Sequence, residues 1–406
     1  MADPHTSETP IPARVSLLPV FLIVLVDVFG LTLVIPLLAI YAESFRATAL
    51  QATLLVSVYS ACQLVSGPLI GYASDRTGRK PMLLISQVGT FIGFIVLARA
   101  SALWMIFLSR VIDGSTAGNL SIAQAYIADN TAPENRAKSF GLIGIAFGLG
   151  FFVGPALTGY LSARHGLTAP IYAAALMSAT SIVCTATLLK GGQTATPLGH
   201  RREALSWRTY TQYFTRPLLR PLLLQFLFFM LSFSMFISGF ALFAERRFAW
   251  HGHPFGPREI GYAFGYVGLL GIILQGGLIG RLVGRFGEQR LAAAGFVSLL
   301  VGYGLLGASS SVLVLLVAGT ITAFGNGVLR PSLTSLITQQ AGRHEVGVVS
   351  GLTQSLMSMA SIVAPVLAGL FIQHQLLGLW AWAAAGLAGI GVLLARSGDR
   401  AVEATV

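Results

Sequence analysis

Apolar stretches about twenty residues long recur along nearly the whole chain, and no other feature of the sequence limits its fold so sharply. An α-helix rises 1.5 Å per residue, so about twenty apolar residues cross a hydrocarbon layer ~30 Å thick. Twelve crossings are expected, at 17–40, 50–72, 82–99, 102–127, 138–162, 169–189, 221–243, 259–281, 291–309, 311–337, 347–372 and 377–395. A soluble domain carries roughly a quarter of its residues as charged side chains. Here 10% of 406 residues are charged and 54% are hydrophobic, more apolar surface than a soluble fold can hide. Strands of a membrane β-barrel run about ten residues with strict alternation, and residues 17–26 show none. The expected fold is therefore an all-α integral membrane protein. The first crossing is too long for a signal peptide, has only Arg14 before it and lacks a small-residue cleavage site, so it is expected to be retained.

Basic residues stay on the cytoplasmic side of a bilayer. With both termini inside, 18 of the 26 Lys and Arg fall in cytoplasmic segments, among them Arg76, Arg79, Lys80, Arg281, Arg285 and Arg290. Six fall on the other side, and Arg110 and Arg330 lie within helices. The net charge of +11 is thus a matter of membrane orientation, and nucleic acid is not an expected partner. Cys62 and Cys184 sit in apolar spans with no CxxC pair, and His251 and His253 read as solvated loop residues rather than ligands. No metal and no cofactor are expected. Motifs for an ATP site or a hydrolase are absent from the sequence, so an enzyme is not expected, and any work must draw on a gradient.

The chain repeats itself. Residues 139–161 align without a gap on 349–371, matching Gly141, Leu142, Val153, Pro155, Leu157 and Gly159 with Gly351, Leu352, Val363, Pro365, Leu367 and Gly369. The segment 71–80 matches 280–289 at nearly the same offset, through Gly71/Gly280, Arg76/Arg285 and Gly78/Gly287. Two segments sharing one offset indicate duplication, and six crossings per copy make the copies parallel. The expected organisation is a six-helix bundle at 1–190, a polar cytoplasmic linker at 191–219 and a second bundle at 220–406, with substrate bound between the bundles.

Few residues inside the spans can carry chemistry. Asp27 lies about ten residues, or ~15 Å, into the first helix. A carboxylate at that depth is costly and normally faces a cavity or a partner, which makes it a candidate proton site. Arg110 and Asp113 stand three residues apart on one helix face, where they either neutralise each other or act in coupling. Arg330, beside Pro331, reads as a structural partner to a carbonyl or carboxylate. Between helices 2 and 3, Gly71 permits close helix contact and Gly78 a tight turn, while Asp75, Arg76 and Arg79 are placed for ionic contacts to neighbouring helix ends. Such contacts would latch the outward-closed state, and asymmetrically, because Gly284 replaces Asp75 in the second copy. Gly150, Gly154 and Gly159 give helix 5 small faces for close packing, and Pro155 removes a backbone hydrogen bond. Tyr59, Gln63, Asn119, Gln124, Gln275, Asn326 and Gln354 either line a partly apolar pocket or bond between helices.

Four motifs, DVFGLTLVIP (27–36), GYASDRTGRKP (71–81), LSRVIDGSTAGN (108–119) and GLGFFVGPALTG (148–159), resemble the major facilitator superfamily. Within it they are most similar to the drug:proton antiporters of the tetracycline-efflux group, over nearly the whole chain. The resemblance implies proton-coupled efflux of a small lipophilic compound by alternating access. It also places Arg110 in a motif linked to proton coupling and the 148–159 motif among antiporters. Uptake of a metabolite on the same scaffold is the alternative; a non-transporting scaffold is a more distant one. The group carries an Asp in helix 3 where this chain has Gly93, and helix 9 has no acid, so the resemblance does not extend to a metal-chelated drug. A protein functional as a monomer in a bacterial inner membrane is expected, with small molecule, protons and lipid as its partners.

Overall fold

The computed structural model describes residues 18–131, 136–189, 212–308, 310–341 and 345–403. Most of the expected linker at 191–219 lies outside the described residues. The helices are α1 (Leu18–Glu43), α2 (Ala49–Thr77), α3 (Arg79–Ala98), α4 (Leu103–Ser115), α5 (Asn119–Asn130), α6 (Arg136–His165) and α7 (Ala169–Leu188). They continue as α8 (Leu219–Arg247), α9 (Pro257–Ile273), α10 (Ile279–Phe286), α11 (Glu288–Ala308), α12 (Val312–Gln340), α13 (Val346–Gln373) and α14 (Leu377–Glu403). A two-residue hairpin, β1 (Ala249–Trp250) on β2 (His253–Pro254), joins α8 to α9. One π-helical turn, Leu274–Leu278, joins α9 to α10. Turns that reverse the chain use the expected glycines: Gly78 has φ 98° and Gly287 φ 77°, a region that costs glycine nothing.

Eleven helices among the described residues are long and apolar enough to cross a membrane, not the twelve expected. The shortfall is the expected crossing at 102–127, which is broken into α4 and α5 at residues 116–118. The break falls within residues 113–119, DGSTAGN, where apolar residues give way to Asp, Gly, Ser, Thr and Asn, a turn signal that the expectation of one continuous crossing overrode. Peptide groups freed at such a break need partners, because nothing in hydrocarbon supplies them. Neighbouring helices provide these. Ser66 of α2 donates its hydroxyl to the Gly114 carbonyl at 2.7 Å. Ser86 of α3 donates to the Thr116 carbonyl and accepts the Gly118 N–H at 2.9 Å. Gly114 itself sits against α2, where an added Cβ would fall 2.5 Å from the Tyr59 carbonyl oxygen.

Element ends repeat at the spacing read from the sequence. α5 ends at Asn130 and α12 at Gln340, while α6 begins at Arg136 and α13 at Val346, both 210 residues apart. α3 begins at Arg79 and α11 at Glu288, 209 residues apart.

Among the described residues, contacts between the first seven helices and the rest are close at one end of the molecule and fall away towards the other. At the end bearing Glu43, Arg246 of α8 donates to Glu43 of α1 at 2.5 Å. Ser57 of α2 donates to the Ile362 carbonyl of α13 at 2.7 Å. α6 and α9 touch backbone to backbone: a Cβ on Gly261 would lie 2.5 Å from the Pro155 oxygen, and one on Gly268 2.5 Å from the Phe151 oxygen. Towards the end bearing Gly78 this contact is lost. Nothing lies within 4 Å of where a Cβ would stand on Gly67, Gly71, Gly276, Gly277, Gly280 or Gly284, and α10 has no buried residue. A cleft therefore opens at the Gly78 end. Gly71, expected to permit close helix contact, makes no such contact.

Two outcomes follow from this packing. Gly261→Leu forces a side chain into the α6 backbone and should lower the melting temperature of the detergent-solubilised protein, at a cost of about 1–3 kcal/mol. Gly386→Ala, in α14 with no neighbour within 4 Å, should leave it unchanged or raise it. Equal effects of the two would show that the α6–α9 seam is not tightly packed. Ser86→Ala strands both the Thr116 carbonyl and the Gly118 N–H and should cost about 1–3 kcal/mol, whereas Ser298→Ala, whose hydroxyl only bonds back to its own helix at Ala294, should be near neutral.

Candidate functional site

The break in the fourth crossing leaves room at its own level. A cavity of about 150 Å³ lies there, walled by α1, α2, α3, α4, α5 and α7, with Phe147 of α6 and Gln354 of α13 closing it. Drug-sized pockets run to about 300–1,000 Å³, so this space is the deep end of the open cleft rather than a complete binding site.

Both deep acids face it. Asp27 projects from α1 and is only partly buried. The polar side chains of Ser181 on α7, Gln87 on α3 and Asn119 at the start of α5 stand around it. Gln87 is held in turn by a 2.7 Å bond from its Nε2 to Ser181 Oγ and by its carbonyl, which accepts from Ser178. Asp113 is buried and pairs with Arg110, Nη1 to Oδ2 at 3.2 Å. Arg110 also donates Nε to Ser109, keeps Nη2 without a partner and stands 5.9 Å from the Phe94 ring centroid. Arg110 is thus engaged with Asp113, not with Asp27. A Cβ on Gly93 would lie 3.1 Å from the Asp113 Cβ, so the missing side chain on α3 is the space that Asp113 occupies.

Of the polar residues expected to line a pocket, Tyr59, Gln63, Asn119 and Gln354 do line this cavity. Gln63 Nε2 is 3.4 Å from Tyr59 Oη. Gln124 is exposed further along α5, Gln275 is exposed on the π-helical turn, and Asn326 donates to Tyr303 within the second set of helices. Gln87, Ser178, Ser181 and Thr90 belong to the site and were not foreseen. They are uncharged, and only their place opposite Asp27 and Asp113 distinguishes them.

At the Gly78 turn, Arg79 is the centre of the charged contacts. It donates Nη1 to Asp75 at 2.5 Å and to Ser74 at 3.0 Å, and Nε to Asp129 at the end of α5 at 2.9 Å. Arg76 lies instead over the Tyr72 ring of its own helix at 4.5 Å. At positions 210 and 209 residues after Asp129 and Arg79, Gln339 Nε2 donates to Glu288 at 2.8 Å, a neutral amide on a carboxylate where the first pair is ionic. Lys80 caps α7 through the Ala186 carbonyl at 2.7 Å.

The packing motif of α6 has two working faces. Gly150 and Gly154 meet Val28 and Thr32 of α1, while Gly159 meets the Pro257 and Arg258 carbonyls of α9. Thr158 donates to the Leu33 carbonyl of α1 at 2.7 Å, which fixes the register. His251 and His253 border a recess of about 770 Å³ at the Glu43 end. Among the described residues no three His, Cys, Asp or Glu are grouped to hold a metal ion.

A family model for the Major Facilitator Superfamily matches residues 20–279 and 255–398. The class D tetracycline resistance protein of Salmonella ordonez is 30% identical over 368 residues, 87% of this chain and 89% of that protein. The class B protein of Escherichia coli is 28% identical over 87% and 88% of the two chains, and multidrug resistance protein 2 of Bacillus subtilis 25% identical over 86% and 88%. Among solved structures, the human organic anion transporter MFSD10 aligns with a TM-score of 0.72 at 24% identity over 95% of this chain and all of that one. A peptide transporter aligns at 0.77 and 17% identity, covering 95% of each chain. These two likenesses establish the fold, and the sequence relatives bear out the resemblance drawn from the four motifs. With the family model spanning nearly the whole helical chain, the protein is an integral membrane transporter that belongs to the Major Facilitator Superfamily.

Proposed function

We propose that the protein exports small, lipophilic, drug-like compounds in exchange for protons, by alternating access in a bacterial inner membrane. The observation that carries this reading is the pair of acids, Asp27 and Asp113, on one deep cavity at the end of a one-sided cleft. Relatives named for tetracycline and multidrug resistance support the drug class and the direction. Counting α4 and α5 as one interrupted crossing gives twelve crossings. The recurring element ends support two parallel six-helix bundles, at 1–190 and 220–406, joined by a cytoplasmic linker at 191–219. The basic excess around Gly78 and Gly287 supports a cytoplasmic opening, with both termini inside and the Glu43–Arg246 pair closing the outer end. The monomer contains the whole path.

In this reading Asp27 takes a proton from one side and releases it when the cavity faces the other. The Ser181, Gln87 and Asn119 side chains around it can each donate to the ionised carboxylate, and the Gln87 and Asn119 amide oxygens, which have no donor, can accept the proton of the neutral form. Asp113 is already matched by Arg110 and acts on Asp27 through the shared cavity. Closure then requires the two sets of helices to rock about the α6–α9 and α2–α13 seams.

Inside-out vesicles test the coupling. Tetracycline or a quinolone added outside should release protons from an acidified lumen, recorded with a pH-sensitive dye. Asp27→Asn should abolish uphill, pH-dependent accumulation while keeping expression and downhill movement. Uphill transport by that variant at the wild-type rate would place the proton elsewhere, with Asp113 next. Absence of proton release with every compound tried, together with proton-driven uptake by whole cells, would reverse the direction.

State-specific contacts give a second test. Glu43→Gln should weaken the outer closure and raise labelling of a cysteine near Phe240, whereas Asp75→Asn should alter labelling on both faces without loss of folding. Unchanged labelling in both variants would remove these ion pairs from the gating scheme.

A further inference from the structure

Arg330 is the charge that the coupling scheme leaves unused. It lies on α12, ten residues or ~15 Å from the Gln340 end, a depth at which an unpaired cation is costly and calls for a named partner. None is present: among the described residues no carboxylate pairs with it and no hydrogen bond is made by it. The acids of α8–α14 explain why. Glu245, Glu259, Glu288, Asp399 and Glu403 all stand at or near helix ends, as does Glu345 just before α13.

The side chain is nevertheless exposed, so at this depth it stands on the wall of the cleft or on the lipid face. The duplication selects the cleft wall. Arg330 is ten residues from the end of α12 and Leu120 ten residues from the end of α5, and Leu120 lines the deep cavity beside Asp27. One turn before Arg330, on the same helix face, Asn326 has a buried Oδ1 with no donor. One turn after it, Thr334 is exposed. That face therefore offers a cation and a hydroxyl with no protein group to use them, above a buried acceptor left unfilled.

We propose that Arg330 is the docking point for an ionised acidic group of the transported compound. The substrate class is then an amphiphilic organic acid or zwitterion, such as an aromatic carboxylate, whose apolar body fills the cleft. This deepens the export reading and rests on it for direction. The acids stay with the proton in the first set of helices, and the substrate's charge is met in the second. A guanidinium presents two parallel N–H donors to a carboxylate, a match in both charge and shape.

The test is binding without transport. Protein in lipid nanodiscs is dialysed against 1-naphthoate, and against 1-naphthamide as its neutral isostere, with empty nanodiscs as background. Wild type should bind the naphthoate about tenfold to a hundredfold more tightly, the range expected of a charge-assisted hydrogen bond. Arg330→Gln should remove that preference and leave naphthamide binding unchanged, while Arg330→Lys should keep a preference. Thr334→Asp keeps the arginine but supplies it with a carboxylate one turn away, and should remove the preference as well; it decides the matter if the Gln variant does not fold. No preference in the wild type, a preference retained in Arg330→Gln, or equal weakening of both ligands in that variant would each overturn the assignment. The assay contains no gradient and no flux, so failure of the anion preference and failure of coupled export are read separately.

Discussion

A peptide group without a hydrogen-bond partner in hydrocarbon costs several kcal/mol, and the architecture of this transporter turns on the one place where a crossing leaves such groups open. At residues 116–118 the fourth crossing stops and restarts, and the site exists because it does. The gap lets Asn119 begin a new helix beside Asp27, puts Asp113 at the end of the old one, and opens the cavity between them. Ser66 and Ser86 make this possible by taking up the freed carbonyls and N–H. Two hydroxyls on neighbouring helices thus stand in for one turn of helix, and the polar character of the site follows from the same interruption.

The second constraint is steric. Rocking of two bundles needs seams that stay in contact while the ends part. Glycines on α6 and α9 allow backbone to meet backbone over the outer half of the seam, where no long side chain has to change rotamer during the motion. Beyond Gly148 and Ile272 the helices diverge, and the glycines that follow meet nothing. The π-helical turn at Leu274–Leu278 falls at that point of divergence. An extra residue per turn there redirects the inner part of the crossing away from α6, as such insertions do where a helix must bend.

Much of this was legible in the sequence, for a reason particular to membranes. Charge is so costly in the spans that Asp27, Arg110 and Asp113 stand out by rarity alone, and the Arg110–Asp113 pair follows from a spacing of three. Tyr59, Gln63, Asn119 and Gln354 were found on the same ground. Serine is less conspicuous, because a serine in an apolar helix can bond back to its own turn and leave no trace in the pattern; Ser86 and Ser181 were missed for that reason, whereas Gln87 was as visible as Gln63 and was passed over. The Glu43–Arg246 closure joins residues 203 apart, each at a helix end where charge is ordinary. The interruption of the fourth crossing was signalled by the polar, glycine-containing stretch at 113–119 but outweighed by the apolar runs on either side, and Arg330 was read as a structural partner only because the sequence does not show that its surroundings contain no acid.

The two sets of helices match in frame and differ in charge. Their frames remain equivalent, down to the helix ends and the positive-φ glycines at Gly78 and Gly287. The tie beside those glycines persists in both copies as well, but the Arg79–Asp129 ion pair of the first has become a Glu288–Gln339 hydrogen bond in the second. The tie therefore depends on the geometry of the turn, and charge was free to vary. The same divergence runs through the interior: the first copy holds both deep acids and packs Asp113 into the space left by Gly93, and the second holds a lone arginine. A symmetrical distribution would have placed like charges opposite each other across the cleft and opposed its closure. In the export and docking scheme proposed above, with carboxyls on one wall and Arg330 on the other, closing the cleft would bring opposite charges together, and a bound proton or a bound anion would change how strongly they attract.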